Sequence, residues 1–242
     1  MYSLLVTVLA LPTLLISASP LNNIDARELV NGLSSPLHLR SGVVELKIGV
    51  KKMNVGYNPS ATLDKAVQEA LRGACFEVDR QSCGPNVKRK FSVDVRKQRQ
   101  LKSGTWENYL DREDMYVTVD SAQWHGNKVI YDLLVRAVAS AADHAAWGTG
   151  SCEQFAVDQG EELNLEMFNF CNTADRISVS IPGGNWMNVR FKSSSEFGNY
   201  DCGKIKNTAE GYLSKDLLPE IRKAVGDEDL FVLPTCLYSL DR

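Results

Sequence analysis

Cys152 follows the glycine-rich stretch Gly148-Thr149-Gly150-Ser151, a setting in which a tight turn presents a thiol for nucleophilic attack. Such a nucleophile needs a base and a group that orients the base, and His125 and His144 supply imidazoles earlier in the chain. The local C-G-S-C-W type of signature is missing, as are G-x-S-x-G and H-E-x-x-H. Three groups of acids, Asp111/Glu113/Asp114, Glu161-Glu162 and Asp227-Glu228-Asp229, are raw material for general acid–base work or weak calcium binding. Adjacent acids in turns are ordinarily solvated, and none of these sits in an EF-hand loop. His38, His125 and His144 are scattered and no C-x2-C pair occurs, so neither a metal site nor a cofactor is expected. No catalytic residue is assigned.

Two further stretches bear on binding. Lys88 to Lys102 carries seven cations against Asp94 alone, interleaved with Phe91, Val93 and Val95. Its simplest form is a strand with a basic outer face; the other is a surface for an acidic partner such as anionic lipid, pectin or a protein. A nucleic-acid surface would want more aromatics on one side, so no nucleic-acid partner is expected. Trp106, Trp124, Trp147 and Trp186 are candidate sugar-stacking platforms, although tryptophans in strand-rich chains more often pack in the core. Asn58-Pro59-Ser60 is disqualified as a glycan acceptor by its proline, and no other N-x-S/T occurs.

The cysteines take their meaning from the N-terminus. Leu4 to Ile16 is an uncharged apolar run of signal-peptide length, too short for a bilayer, with small residues at Ser17, Ala18 and Ser19. Cleavage after Ala18 and export follow, and no membrane span is expected. In an oxidising compartment the six cysteines, Cys75, Cys83, Cys152, Cys171, Cys202 and Cys236, read as three disulfides. Cys75–Cys83 is the first-choice pair, and the other four leave three pairings open. Net charge is −3 over 242 residues, with 44 % apolar and 24 % charged, ordinary for a globular protein. Residues 19–40 lack periodicity and contain Ile24-Asp25-Ala26-Arg27 and Leu37-His38-Leu39-Arg40, which kexin-like proteases accept; residues 19–40 are therefore expected to be a propeptide removed after Arg40.

The mature chain must then position these groups. Leu63, Val67, Ala70, Leu71 and Ala74 form one helical stripe, capped by Ser60 or Thr62 and stopped near Gly73, running into Cys75. Strands are expected at Val44–Val50, around Phe91–Val95, and in a hairpin of Tyr116–Trp124 with Lys128–Val135 about a His125-Gly126-Asn127 turn. Ala137–Trp147 reads as a helical turn or two before a linker at Gly148–Ser151. Beyond it, strands are expected at Cys152–Asp158, Leu163–Cys171, Arg176–Ile181, Trp186–Lys192 and Asp229–Leu240, with a short helix over Pro219–Val225 closed by Gly226. The fold class is α+β and mostly β. An N-domain over residues 41–148 has one helix on an antiparallel sheet, and a C-domain over residues 149–242 is a β-sandwich.

A signal peptide, a prosegment ending Leu37-x-x-Arg40, a helix running into Cys75 and six cysteines across a strand-rich chain together resemble the dual-domain effector family of vascular-wilt fungi, the Fusarium secreted-in-xylem proteins. The resemblance covers the whole chain and implies a helix on a twisted sheet followed by a β-sandwich. It also implies secretion into the plant apoplast or xylem, processing at Arg40, manipulation of immunity, and recognition by a resistance receptor. It brings no catalytic site. The expected function is therefore a non-enzymatic, monomeric avirulence effector whose partner is a host immune receptor or another host protein. Two other classes remain: a cystatin-like protease inhibitor, for which the inhibitory glycine/valine motif is missing, and a carbohydrate-binding or hydrolytic β-sandwich.

Overall fold

A computed structural model describes residues 42–57, 62–75, 81–83, 85–148, 150–158, 165–193 and 199–238. Ala18, Leu37, Arg40, Ser60 and Glu161-Glu162 lie outside them, so the expected cleavage sites and that cap are not described. The described chain runs β1 (Val43–Gly49), β2 (Lys52–Tyr57), α1 (Thr62–Ala74), β3 (Ser82–Cys83), β4 (Val87–Gln100), β5 (Trp106–Gln123) and α2 (Lys128–Trp147). It continues through β6 (Cys152–Asp158), β7 (Leu165–Ala174), β8 (Arg176–Ile181), β9 (Asn185–Lys192) and α3 (Cys202–Tyr212). A π-helical turn (Leu213–Leu217) then leads into α4 (Leu218–Val225) and β10 (Phe231–Leu237).

The strands form one mixed sheet in the order β10-β1-β8-β9-β5-β4-β2-β7-β6, with β3 added beside β5. Among the described strands only β1 and β10 pair in parallel; the other ladders are antiparallel. Strands from both sides of Gly148 alternate across this sheet, and one core joins Val44, Leu46 and Ile48 of β1 to Ile177 and Val179 of β8 and Val189 of β9. The expected division at residue 148 and the separate β-sandwich are not confirmed. The coarser expectation of a mostly β chain with helices on a sheet is what the structure shows.

The helices shelter the apolar half of the strand alternation. Leu63, Val67 and Leu71 of α1 are fully buried, as their 3–4 spacing requires. Cys75 follows the helix and bonds Cys83 on β3, which ties α1 to β5 through the β3–β5 ladder. At the same end Arg89 of β4 donates from Nε (3.1 Å) and Nη2 (2.7 Å) to the Gly73 carbonyl, closing an open helix terminus with a cation. Arg72, Asp132, Arg136 and Glu220 then link α1, α2 and α4 in an ion-pair chain.

The expected hairpin return at Lys128–Val135 is instead the start of the 20-residue α2. Val129, Tyr131 and Leu133 alternate as a strand would, but Ile130, Leu133, Leu134, Ala137, Val138 and Ala141 also follow helical spacing. Asn127 decides the competition: its Oδ1 accepts from the Val129 and Ile130 N–H groups at 3.0 and 3.2 Å, a helix N-cap. Val129, expected inside a sheet, is exposed. Downstream, Ala139, Ala141, Ala142, Ala145 and Ala146 are all buried, and Thr173 of β7 donates to the Ala142 carbonyl at 2.8 Å. Short side chains let the helix axis approach the sheet closely.

Two elements carry no clear sequence signal. β2 lies between the strand expected at Val44–Val50 and the Leu63–Ala74 helical stripe, in a stretch for which no strand is expected. Its bulge rests on Gly56, at φ +72, whose N–H bonds Asn54 Oδ1 and where a Cβ would fall 2.2 Å from the Asp94 carbonyl oxygen. The other is α3, whose N-cap is Asp201, its side chain accepting from the Gly203 N–H at 2.9 Å. The expected short helix appears as α4 with Gly226 at φ +77 as its C-cap.

Candidate functional site

All three disulfides stay within the sets expected from sequence: Cys75–Cys83, Cys152–Cys171 and Cys202–Cys236. No described cysteine is free. Cys152 is thus a half-cystine, bonded to the residue directly opposite it on β7. His125 lies at φ +50 with its Nε2 3.1 Å from the Gly184 carbonyl, and the His144 ring stacks on Tyr212 at 3.4 Å between centroids. The imidazoles and Cys152 therefore have separate structural partners.

The acids and the basic stretch explain each other. Register places β4 beside β5 over its full length, which brings Lys90, Lys97 and Arg99 within reach of acids on β5. Lys90 meets Asp114 at 2.7 Å, Lys97 meets Asp111 at 2.7 Å and Glu113 at 2.9 Å, and Arg99 holds Glu107 through two bonds. The hydrogen bond from Lys97 holds the Asp111 carboxyl below its usual range and raises Lys97 in turn. Such exposed pairs contribute little each, roughly 0–1 kcal/mol, but those of Lys90, Lys97 and Arg99 offset part of the positive charge that the local sequence carries. In the third acidic group Asp227 Oδ1 accepts from the Asp229 N–H, a local turn. Among the described residues no three His, Cys, Asp or Glu side chains are grouped to hold a metal.

The four tryptophans separate. Trp124 is fully buried and packs on Tyr131 with ring centroids 4.8 Å apart. Trp147 and Trp186 are half-buried. Trp106 is 66 % exposed at the end of the β4–β5 ribbon, where every residue from Gln98 to Trp106 is exposed. Nearer its base the ribbon is anchored: Arg96 lies over the Phe155 ring at 3.5 Å, and Asn108 donates to the Ala156 carbonyl at 3.0 Å. Leu110 and Phe155 there pack on a second small core of Val157, Phe168 and Phe170.

Sequence reasoning missed the titratable cluster on α2. Asp143 is 6 % exposed among alanines, and its Oδ1 has no hydrogen-bond partner. Burial raises its pKa to about 6, the Asp64 charge on α1 adds to the shift, and the Asp64 N–H and Trp147 indole oppose it. Those donors fall short of full satisfaction, since Trp147 Nε1 is also buried without a partner. Burial lowers His144, against the pull of Asp64 and of Asp216 on the π-helical turn. The cluster lies between α1, α2 and the α3–α4 stretch, and is a feature of helix packing.

A different surface lies at the sheet edge. Phe231 and Leu233 of β10 are 52 % and 44 % exposed on one face, and Tyr238 just beyond is 71 % exposed. The Phe231 N–H donates to the Gly42 carbonyl, so in the parallel β1–β10 ladder residues 231, 233, 235 and 237 turn their backbone groups inward. Val232, Pro234 and Cys236 turn theirs outward, and Pro234 has no N–H to offer. A proline there blunts the edge against strand addition while leaving the side chains presented. The sheet edge is therefore equipped for contact through side chains.

No family model, no curated protein and no solved structure matches this chain.

Proposed function

We propose that the chain is a secreted, disulfide-stapled effector that acts in a plant host by binding a host protein, an immune receptor among its partners, and catalyses no reaction. Export is supported by the N-terminal apolar run, by three disulfides, and by the fact that no described helix is long and apolar enough to cross a membrane. The host assignment rests on the resemblance to the secreted-in-xylem effectors. The observation that carries protein recognition is the β10 surface, where Phe231, Leu233 and Tyr238 are presented on an edge that Pro234 closes to β-pairing. Large apolar side chains held on a rigid strand are the anchors that dominate protein interfaces.

The test compares wild type with a Phe231→Ser/Leu233→Ser double variant, both secreted from a fungal host and infiltrated into leaves carrying the matching resistance receptor. The variant is expected to be secreted and to melt like wild type, but to elicit no cell death. An unchanged response would remove β10 as the contact surface, and a silent wild-type protein would overturn the effector reading itself.

A further inference from the structure

The β4–β5 arm has a separate organisation that the β10 surface does not use. Strand alternation sorts its outer rungs by chemistry. On one face Lys97 and Arg99 sit across from Tyr109 and Glu107, and the ionic groups satisfy one another through Asp111, Glu113 and Glu107. On the other, Gln98 is opposite Asn108 and Gln100 is opposite Trp106. That second face has an exposed indole, three amides and no ion in its outer two rungs.

Its amides are held in place. Asn108 accepts from Arg96 Nε at 2.8 Å and donates to the Ala156 carbonyl at 3.0 Å. Gln98 Nε2 donates to Asn108 Oδ1 at 3.1 Å, and Gln100 Nε2 to the Gly104 carbonyl at 3.3 Å. Fixing the nitrogen ends leaves Gln98 Oε1, Gln100 Oε1 and Trp106 Nε1 without partners among the described residues. The result is a flat apolar plate with two acceptors and one donor beside it, on a ladder whose same-face rungs repeat at about 7 Å.

We propose that this face, Trp106 with Gln98, Gln100 and Asn108, binds a neutral pyranose oligosaccharide. A sugar ring has an apolar C–H face that covers the indole and equatorial hydroxyls that both donate and accept. The face holds no unpaired charge to recognise an anion, so a neutral glycan fits it better than pectin. A protein loop would equally cover the indole, but the aligned amides match a hydroxyl-rich ligand, and the site is independent of the contact assigned to Phe231 and Leu233.

Calorimetric titration of the full secreted protein with cellohexaose, xylohexaose and mannohexaose tests this, with hexagalacturonate as the acidic counterpart. At least one neutral hexasaccharide is expected to bind. Trp106→Ala should weaken it about tenfold or more, with an unchanged circular dichroism spectrum because the residue is exposed. Gln98→Ala/Gln100→Ala should weaken it as well, while Lys97→Ala, on the opposite face, should not. The proposal is overturned if no neutral hexasaccharide binds, if only hexagalacturonate binds, or if Trp106→Ala binds as wild type does. Loss of the leaf response in Trp106→Ala with oligosaccharide binding intact would assign the face to protein contact, and would overturn it too.

Discussion

Asp143 should make this protein lose stability as pH rises through the mildly acidic range. Its carboxyl is buried on α2, lacks a partner at Oδ1 and faces Asp64 on α1, with His144 beside it on its own helix and Asp216 on the π-helical turn near His144. The folded pKa of about 6 stands above the ordinary 3.8, so the folded state binds the proton more tightly than the unfolded chain. Below about pH 4 both states are protonated and the site costs little; above about pH 6 both are ionised and the fold carries a buried charge. The shift of about two units corresponds to roughly 3 kcal/mol, lost progressively between those limits. Asp143→Asn keeps the neutral shape and removes the titration. Urea unfolding of both proteins across this range should show similar stability near pH 4. The variant should be more stable by up to about 3 kcal/mol near pH 7.5. Taking the difference between the two proteins cancels the other titrating groups. A difference independent of pH, or an Asn variant that is the weaker protein near pH 7.5, would refute the reasoning.

Two further perturbations probe the disulfides and the β2 bulge. If disulfides act mainly on the unfolded chain, serine replacement of Cys75–Cys83, Cys152–Cys171 and Cys202–Cys236 should cost in the order of their separations, 8, 19 and 34 residues. The expected losses are about 2.5, 3 and 4 kcal/mol, read from urea midpoints; a reversed order would show that native-state contacts dominate. Gly56→Ala should cost on the order of 2 kcal/mol or more, because an L-residue is strained at that φ and its Cβ meets the Asp94 carbonyl; a wild-type midpoint would contradict the β2 bulge.

Sequence alone determined whatever depends on near neighbours. The Leu63–Ala74 stripe is α1, strands β6 and β8 appear with the expected bounds, and Cys75 bonds Cys83 eight residues on. Each is fixed by a local period, by turn residues or by a short loop. Lys128–Val135 was legible only in part, because its residues satisfy periods of two and of 3.6 at once, and the Asn127 cap with packing on β7 chose the helix. The tertiary structure alone decided the sheet order, which threads strands from both sides of Gly148 through one another where a linker suggested two domains. It also decided the charges: the basic stretch and the acids of β5 look like separate surfaces until cross-strand register makes them partners. Exposure was equally illegible, since four tryptophans of one residue type end up buried, half-buried or exposed. Periodicity says which residues share a face of their own element. Which face another element covers depends on contacts far apart in the chain, and those leave no mark in any local window of sequence.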